Sequence, residues 1–415
     1  MRRLFWKNFF ALLLVAIAIA EWVCAAWLLT ELGGVEVTPL SHLLGPLLIY
    51  ALNRALVSRP VPPEGPWRSL RRAYTGLAFT SVFGLLFLLV TGVFWGVAWT
   101  GLHAVGLTVG MQVPVAPLSS GARAMATCGL LAVGTAMAYG YSVGQRRLWV
   151  NRLDVPMAGI STAMDGLRLI QISDVHLGGL TPTATIAEYV ARINALEPDV
   201  VVITGDITDG IDHAEETFTT LGGLRARCGV IAILGNHDVY TGSDAVAAAL
   251  ARYTDFTVLL DENARIDTGE GELWFVGLLD RGRDWARGVT ECPTFESLWR
   301  EVPDGAPAVV LTHRPDLFGH AARLGAPLVL AGHTHGGQLA IPWGAGRAVT
   351  LARFMTPYPR GTFRINDSLL HVNLGLGVTG QPVRLATPRE ITVITLRSTR
   401  TTEGVNPCTD SSVAA

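Results

Sequence analysis

Residues Phe9 to Leu29 form an almost unbroken apolar run. Inside a bilayer every backbone polar group has to be satisfied within the segment, so such a run can only be a helix, and it is long enough to cross about 30 Å of hydrocarbon. Arg2, Arg3 and Lys7 precede it. A cleaved signal peptide is the rival reading. The run is longer than the apolar part of such a peptide, holds Glu21 inside it, and is followed by further apolar runs. These are His42 to Val57, which contains Pro46, then Thr75 to Trp99, and Ala122 to Val143. Residues 1–150 are therefore expected to form an all-α transmembrane segment of about four helices (9–29, 42–57, 75–99 and 122–143).

Charge separates this part from the rest. Residues 1–150 carry eleven Arg or Lys against four Asp or Glu, whereas residues 151–415 carry 21 against 30. The acidic balance of the second part disfavours an extended nucleic-acid partner. Within the first part, basic residues gather at the amino-terminal tip, between Asn53 and Arg72, and at Arg146, Arg147 and Arg152, while the intervening loops, 31–39 and 100–121, have none. With four spans, the positive-inside tendency puts both termini in the cytoplasm and makes the chain a multi-pass protein of the cell (inner) membrane. A fifth span through Gly101 to Leu118 would move the carboxy-terminal part to the other side. Glu21 is a functional candidate because it is ionisable within a span, and pairing with a neighbouring helix is the plainer alternative. The cysteines, Cys24, Cys128, Cys228, Cys292 and Cys408, follow no zinc or redox spacing.

After a linker over 151–166, short apolar runs begin: Leu167 to Ile172, Val200 to Ile203, Val230 to Leu234, Leu273 to Leu278, Ala308 to Leu311, Leu328 to Leu330, Leu369 to Val372 and Ile391 to Leu396. Their length and β-branched content predict buried strands. Helices are predicted between several of them, at 184–196, 214–227, 244–253 and 315–324. This is α/β grammar, in which functional residues collect beyond the carboxyl ends of the strands. A polar tail, 398–415, is expected to be disordered.

Five of those strand ends carry Ser173-Asp174-Val175-His176, Gly205-Asp206-Ile207-Thr208-Asp209, Gly235-Asn236-His237-Asp238, Thr312-His313 and Gly332-His333-Thr334-His335. An Asp or Asn after a strand is most often a turn former or helix cap, and a lone His is most often an ordinary hydrogen-bonded residue. The joint pattern differs, because five of the ten histidines fall in these motifs. His42, His103, His213, His320 and His371 lie elsewhere and keep the ordinary reading. Imidazole and carboxylate ligands without thiolate suit Mn, Fe or Zn. Asp174, His176, Asp206, Asn236, His313, His333 and His335 are too many for one tetrahedral ion and suit two divalent metal ions. Two cations roughly 3.5–4 Å apart can activate water between them and clamp the oxygens of a phosphate.

These motifs, in this order, resemble the signature of the calcineurin-like metallophosphoesterase superfamily over Leu167 to Leu396. The resemblance implies a two-sheet sandwich flanked by helices, occupying 167–397. It also implies that Asp174, His176, Asp206 and His335 hold one metal, while the shared Asp206 with Asn236, His313 and His333 holds the other. His237 matches the residue that contacts the phosphate and assists the leaving oxygen, with Asp238 either orienting it or serving as a helix cap. The stretch Gly332 to Gln338 (GHTHGGQ), Gly375-Leu-Gly377, Arg384 and Pro388-Arg389-Glu390-Ile391 look like the membrane-associated bacterial branch. Arg389 departs from it, standing where that branch usually has a second proline.

The implied function is a membrane-anchored phosphoesterase, expected to act on phosphodiesters. An anchor points to the lipid bilayer as a partner and to a phosphate-ester substrate at its surface, such as a phospholipid or a lipid-linked nucleotide, with simple localisation as the alternative. A phosphoprotein phosphatase, or a membrane sensor or transporter whose phosphoesterase-like domain only binds metal, are the other readings. Asp280 to Thr290 and Gly344 to Arg360 are candidate substrate loops, or else plain solvated connections.

Overall fold

The computed structural model describes residues 2–57, 66–111, 115–286, 288–344 and 348–399. Clustering of contacts divides the chain into two compact units, Met1–Tyr141 and Ser142–Ala415.

The first unit is helical: α1 (Arg2–Gly33), α2 (Pro39–Val57), α3 (Pro66–Val109) and α4 (Val115–Ser142). Among the described residues, Ala11–Gly33, Ser69–Val109 and Leu118–Arg146 are long and apolar enough to cross a membrane. The run at 42–57 is helical but is not one of these three, and α2 carries Ser41, His42, Asn53 and Arg54 among its apolar residues. Helix α3 continues well past Trp99, where a loop is expected from the sequence. No proline interrupts it, and the hydroxyls of Thr100 and Thr108 donate back to Gly96 O and Val105 O, both at 2.8 Å. Its 44 residues make a rod of about 66 Å, twice the hydrocarbon thickness. Glu21 is buried and paired: Asn53 Nδ2 donates to its Oε2 (2.6 Å), and the Tyr74 hydroxyl donates to Asn53 Oδ1 (2.8 Å). This polar chain ties α1, α2 and α3 together, which is the plainer of the two readings of Glu21.

The second unit is built of strands. In chain order they are β1 (Leu148–Met157), β2 (Arg168–Ile172), β3 (Val200–Thr204), β4 (Val230–Ile233), β5 (Thr257–Leu259), β6 (Glu262–Asp267) and β7 (Glu272–Gly277). Then come β8 (Ala308–Leu311), β9 (Leu328–Ala331), β10 (Ala340–Pro342), β11 (Ala348–Thr350), β12 (Gly361–Ile365), β13 (Ser368–Val372) and β14 (Arg389–Ser398). One six-stranded sheet has the order β1-β14-β2-β3-β4-β5 and the other β12-β13-β9-β8-β7-β6, with β10 and β11 forming a small separate ladder. The accompanying helices are α5 (Thr183–Asn194), α6 (Ala214–Leu221), α7 (Asn236–Thr241), α8 (Ser243–Tyr253), α9 (Pro293–Trp299) and α10 (Phe318–Arg323).

Alternation along the strands sorts the core into layers. Leu169, Val200, Val202, Ile231 and Ile233 of the first sheet meet Phe275, Val309, Leu311, Leu328 and Leu330 of the second. The other face of the first sheet, with Ile170, Val201 and Ile203, packs under Ile186, Phe218 and Leu250 of α5, α6 and α8. Val310, Val329 and Leu370 on the outer face of the second sheet lie against Phe295 of α9 and Phe318 of α10. The result is a two-sheet sandwich flanked by helices.

The expected linker at 151–166 is not one. β1 takes up its first seven residues and pairs in parallel with β14 over ten positions, so the unit begins before Leu167. An edge strand is buried on one side only, and Arg152 and Asp154 on its open side, with Asn151 bonded to Glu390 on the other, give it the composition of a linker. The predicted disordered tail starts at Ser398, which closes β14, and residues 400–415 lie outside the described residues.

Candidate metal centre

The carboxyl ends of β2, β3 and β4 in one sheet, and of β8 and β9 in the other, bring the five motifs into one place. Among the described residues three groups of ligand atoms form, each within 4.8 Å: Asp174 with His176 and His335, Asp206 with His313 and His333, and, toward the rim, His176 with Asp209 and His237. Asp206 Oδ2 stands between the first two, 3.2 Å from His313 Nε2 and 3.9 Å from His176 Nε2. His335 Nε2 lies 3.4 Å from Asp174 Oδ1 and 3.1 Å from His176 Nε2. Across the cluster, His333 Nδ1 is 3.2 Å from His313 Nε2.

The backbone bends sharply to achieve this. Asp174, His176, Asp206, His333 and His335 all have φ between 49° and 72°. Left-handed conformation costs a non-glycine residue roughly 1–2 kcal/mol, least for Asp, Asn and His. Five such residues at one spot mark a site whose geometry is held against local preference. His333 and His335 thus reach different groups through this loop conformation, with Thr334 right-handed between them, and not through strand alternation.

The donor set fits divalent cations. Asp174, Asp206, His176, His313 and His335 are buried, and two facing carboxylates out of water call for a positive partner. Asn236 Oδ1, at the start of α7, is buried with no hydrogen-bond partner, an oxygen left for a ligand. Burial, helped by neighbouring His313 and Arg314, holds the His333 pKa well below the usual imidazole range; burial with His176 and Arg384 does the same for His335. Both imidazoles are therefore neutral, the form that coordinates. For His313, burial lowers the pKa but the Asp206 charge and hydrogen bond outweigh it and raise it to about 10, marking the spot where positive charge is favoured.

His237 sits at the rim with its side chain 32% exposed, whereas His176, His313 and His335 are buried. Its Nδ1 donates to Asp209 Oδ1 (2.7 Å), and His176 Nδ1 donates to the same oxygen (2.8 Å). One carboxylate thus fixes both rings, leaving each Nε2 free to work. Burial disfavours the Asp209 anion, but the bonds from the two histidines prevail and hold its pKa at about 2. Asp238, the residue expected to orient His237, is turned elsewhere. Its carboxylate accepts the backbone N–H groups of Ile207 (3.0 Å), Thr208 (2.9 Å) and Gly235 (2.8 Å), which is the cap alternative and also fixes the loop after Asp206. Asp209 was visible in the sequence as the last residue of Gly-Asp-Ile-Thr-Asp, but a three-residue offset from Asp206 does not reveal a shared imidazole partner. Replacing Asp209 by Ala should lower metal affinity and turnover by about 10–100-fold, checked by metal titration beside steady-state rates.

Two arginines were not anticipated as part of the site. Arg314 is buried, its Nε donating to Asp280 Oδ2 (2.7 Å) and its Nη2 to Gly282 O (3.1 Å), and its Nη1 stands 3.3 Å from His333 Nε2. Asp280, flagged within a candidate substrate loop, is thus the buried anchor of a guanidinium at the edge of the cluster. Arg384 lies fully buried beneath His335, its Nη2 donating to Gly375 O (3.0 Å) and Gly377 O (2.6 Å). Burial, with Arg389 nearby, lowers its pKa to about 9. Of the other histidines, His320 and His371 are buried in ordinary polar contacts with Glu296 and Glu390.

Residues 167–337 match the family model for calcineurin-like phosphoesterases. A Bacillus subtilis protein carrying the name uncharacterized metallophosphoesterase YkuE is 32% identical over 243 residues, 58% of this chain and 82% of that protein. A transmembrane protein with metallophosphoesterase domain from Danio rerio is 28% identical over 297 residues, 68% of this chain and 64% of that protein. The UDP-2,3-diacylglucosamine pyrophosphatase LpxG of Chlamydia trachomatis is 26% identical over 300 residues, 59% of this chain and 88% of that protein. The chain thus spans most of the two bacterial relatives and somewhat less than two thirds of the fish one.

Proposed function

The chain belongs to the calcineurin-like phosphoesterase family of metal-dependent phosphoester hydrolases, and from that premise we propose that it is a membrane-anchored phosphodiesterase acting at the bilayer surface. The observation that carries the reading is the pair of ligand groups sharing one face of Asp206, with His237 open at their rim. We assign one Mn, Fe or Zn ion to Asp174, His176, Asp206 and His335, and the second to Asp206, Asn236, His313 and His333. When bound, such a pair supplies water made nucleophilic at neutral pH and a positive clamp for phosphate oxygens.

The residues do the rest. Asp209 holds His237 by Nδ1, so that Nε2 faces outward and carries a proton to the departing oxygen when the imidazole is charged. A hydrogen bond to carboxylate raises the His237 pKa, against a smaller opposing effect of burial, so the charged donor form is favoured at the rim. The Arg314 guanidinium, held by Asp280, adds positive charge on the His333 side for a phosphoryl oxygen.

The LpxG relative, named for a pyrophosphatase of a lipid-bearing nucleotide, supports a lipid-linked substrate. The helical first unit supports the anchor. The Arg and Lys distribution supports a cytoplasmic catalytic domain in the inner membrane, provided α2 crosses together with the three longer helices. A cysteine at exposed Glu270 should then resist a membrane-impermeant maleimide in intact cells and react after lysis; equal labelling in both would reverse the sidedness.

The activity is tested with full-length protein in detergent, metal-reconstituted, on bis-p-nitrophenyl phosphate and p-nitrophenyl phosphate. Hydrolysis of the diester should exceed that of the monoester, stop on chelation, and fall by about 10²–10⁴-fold in His237→Ala. No hydrolysis with Mn, Fe or Zn would leave a metal-binding sensor domain as the better reading.

A further inference from the structure

In the second unit, large apolar side chains stay exposed mainly in one place. Of the eleven such residues from Val143 onward, six fall between 341 and 355: Ile341, Trp343, Val349, Leu351, Phe354 and Met355. Phe354 is 89% exposed, more than any other large apolar side chain described. Scattered exposed apolar residues are normal in soluble domains, but a contiguous set marks a surface that meets something.

The set is contiguous by construction. In the β10–β11 ladder Ile341 opposes Val349 and Ala340 opposes Thr350. Ala340 and Thr350 are buried, so alternation turns Ile341 and Val349 together to the open side. The inner side is bound to the metal loop, the Thr350 hydroxyl donating to Gly336 O (2.8 Å), one residue from His335. A 3₁₀ turn, Leu351–Phe354, follows directly in the chain and carries exposed Leu351 and Phe354, with exposed Met355 after it.

Charge identifies the occupant. Between Leu317 and Asn366 the chain contains no Asp or Glu, and Arg353, Arg360 and Arg364 fall within or just after the apolar stretch in the sequence. Arg353 and Arg364 are exposed. This basic interval lies in a part of the chain whose acidic residues otherwise outnumber the basic ones by nine, as 30 against 21. Tryptophan, phenylalanine and aliphatic side chains edged by arginine suit the headgroup zone of an anionic bilayer, where rings sit at the interface and guanidinium groups meet phosphate. A chain with candidate membrane spans keeps that bilayer at high effective concentration, so modest insertion energy suffices.

We propose that the exposed apolar side chains of residues 340–343 and 348–355 dock into the surface of an anionic bilayer and so hold the edge of the metal centre at the level of lipid headgroups. The inference rests on the membrane part of the function proposed above and not on its catalysis. The test uses full-length protein with the native cysteines replaced, reconstituted in phosphatidylglycerol-containing vesicles, with an NBD fluorophore on Phe354→Cys or, as control, on Glu270→Cys. Both positions are exposed, so neither label disturbs the core. Docking predicts that NBD at 354 is quenched by doxyl-labelled lipid and is about fivefold less quenched by iodide than NBD at 270. Equal iodide quenching at both positions would overturn the proposal. Shielding from iodide without quenching by doxyl lipid would also overturn it and assign the surface to a second copy or a protein partner. The fluorescence needs no substrate, so its failure is distinguishable from failure of the hydrolase reading.

Discussion

Replacing His335 by Ala should cut the metal bound per chain from two equivalents to one, and replacing His333 by Ala should remove the other. The basis is the separation of the two rings: His335 joins Asp174 and His176, whereas His333 joins Asp206 and His313. Each substitution strips an inner ligand from one site and leaves the other site its own histidine and carboxylates. Loss of a group that merely supports a ligand costs about 10–100-fold, so loss of the ligand itself should lower kcat/KM by at least about 10²-fold. Elemental analysis of the purified variants gives the stoichiometry, and the metal lost from His335→Ala should be the one whose return is blocked by Asp174→Ala. Two variants that both keep two equivalents, or that both lose everything, would contradict a divided pair.

The metal centre was legible because its residues are defined by sequence position relative to strands. Eight short β-branched runs predicted the buried strands, and Asp174, Asp206, Asn236, His313 and His333 stand directly beyond them. A parallel strand buried on both faces leaves an unmistakable run such as Val200 to Thr204. Edge elements leave none, which is why residues 151–157 of β1 were taken for a linker and β11 for part of a loop. The supporting contacts escaped for another reason. Asp209, Arg314 and Arg384 act through partners far away in sequence, such as Arg314 on Asp280 and His333, and no local pattern encodes a bond across two sheets. Asp238 shows the same limit from the other side, since adjacency to His237 suggested an orienting bond, whereas the turn of α7 aims its carboxylate at the backbone of the neighbouring loop. In the membrane part, Glu21 could be seen to need a partner, but Asn53 and Tyr74 could be named only once the helices were side by side.

Gly332→Ala should disable the protein without replacing a ligand. A Cβ at this position would overlap the Ser173 hydroxyl, come within 2.8 Å of Ser173 Cβ and within 2.5 Å of Asp174 Oδ2. Ser173 has no room to yield, being fully buried with its hydroxyl donating to Thr204 O (3.2 Å). Asp174 is equally constrained, because the His333 N–H donates to both its oxygens at 3.1 Å. The two ligand loops would have to part at the point where they meet. Overpacking of this kind costs about 1–3 kcal/mol, which lowers Tm by roughly 2–4 °C for each kcal/mol in a unit of this size. Activity should suffer more than stability, since misplacing a reacting group by about 1 Å costs on the order of 10²-fold. Ser173→Gly removes both Ser173 atoms from the clash, so the double variant should regain most of the lost Tm. It should regain little activity, because the approach to Asp174 remains. Thermal denaturation and kcat/KM over the four members of the cycle separate the two effects, and a Gly332→Ala protein with unchanged Tm and full metal content would show that the loops are looser than this geometry requires.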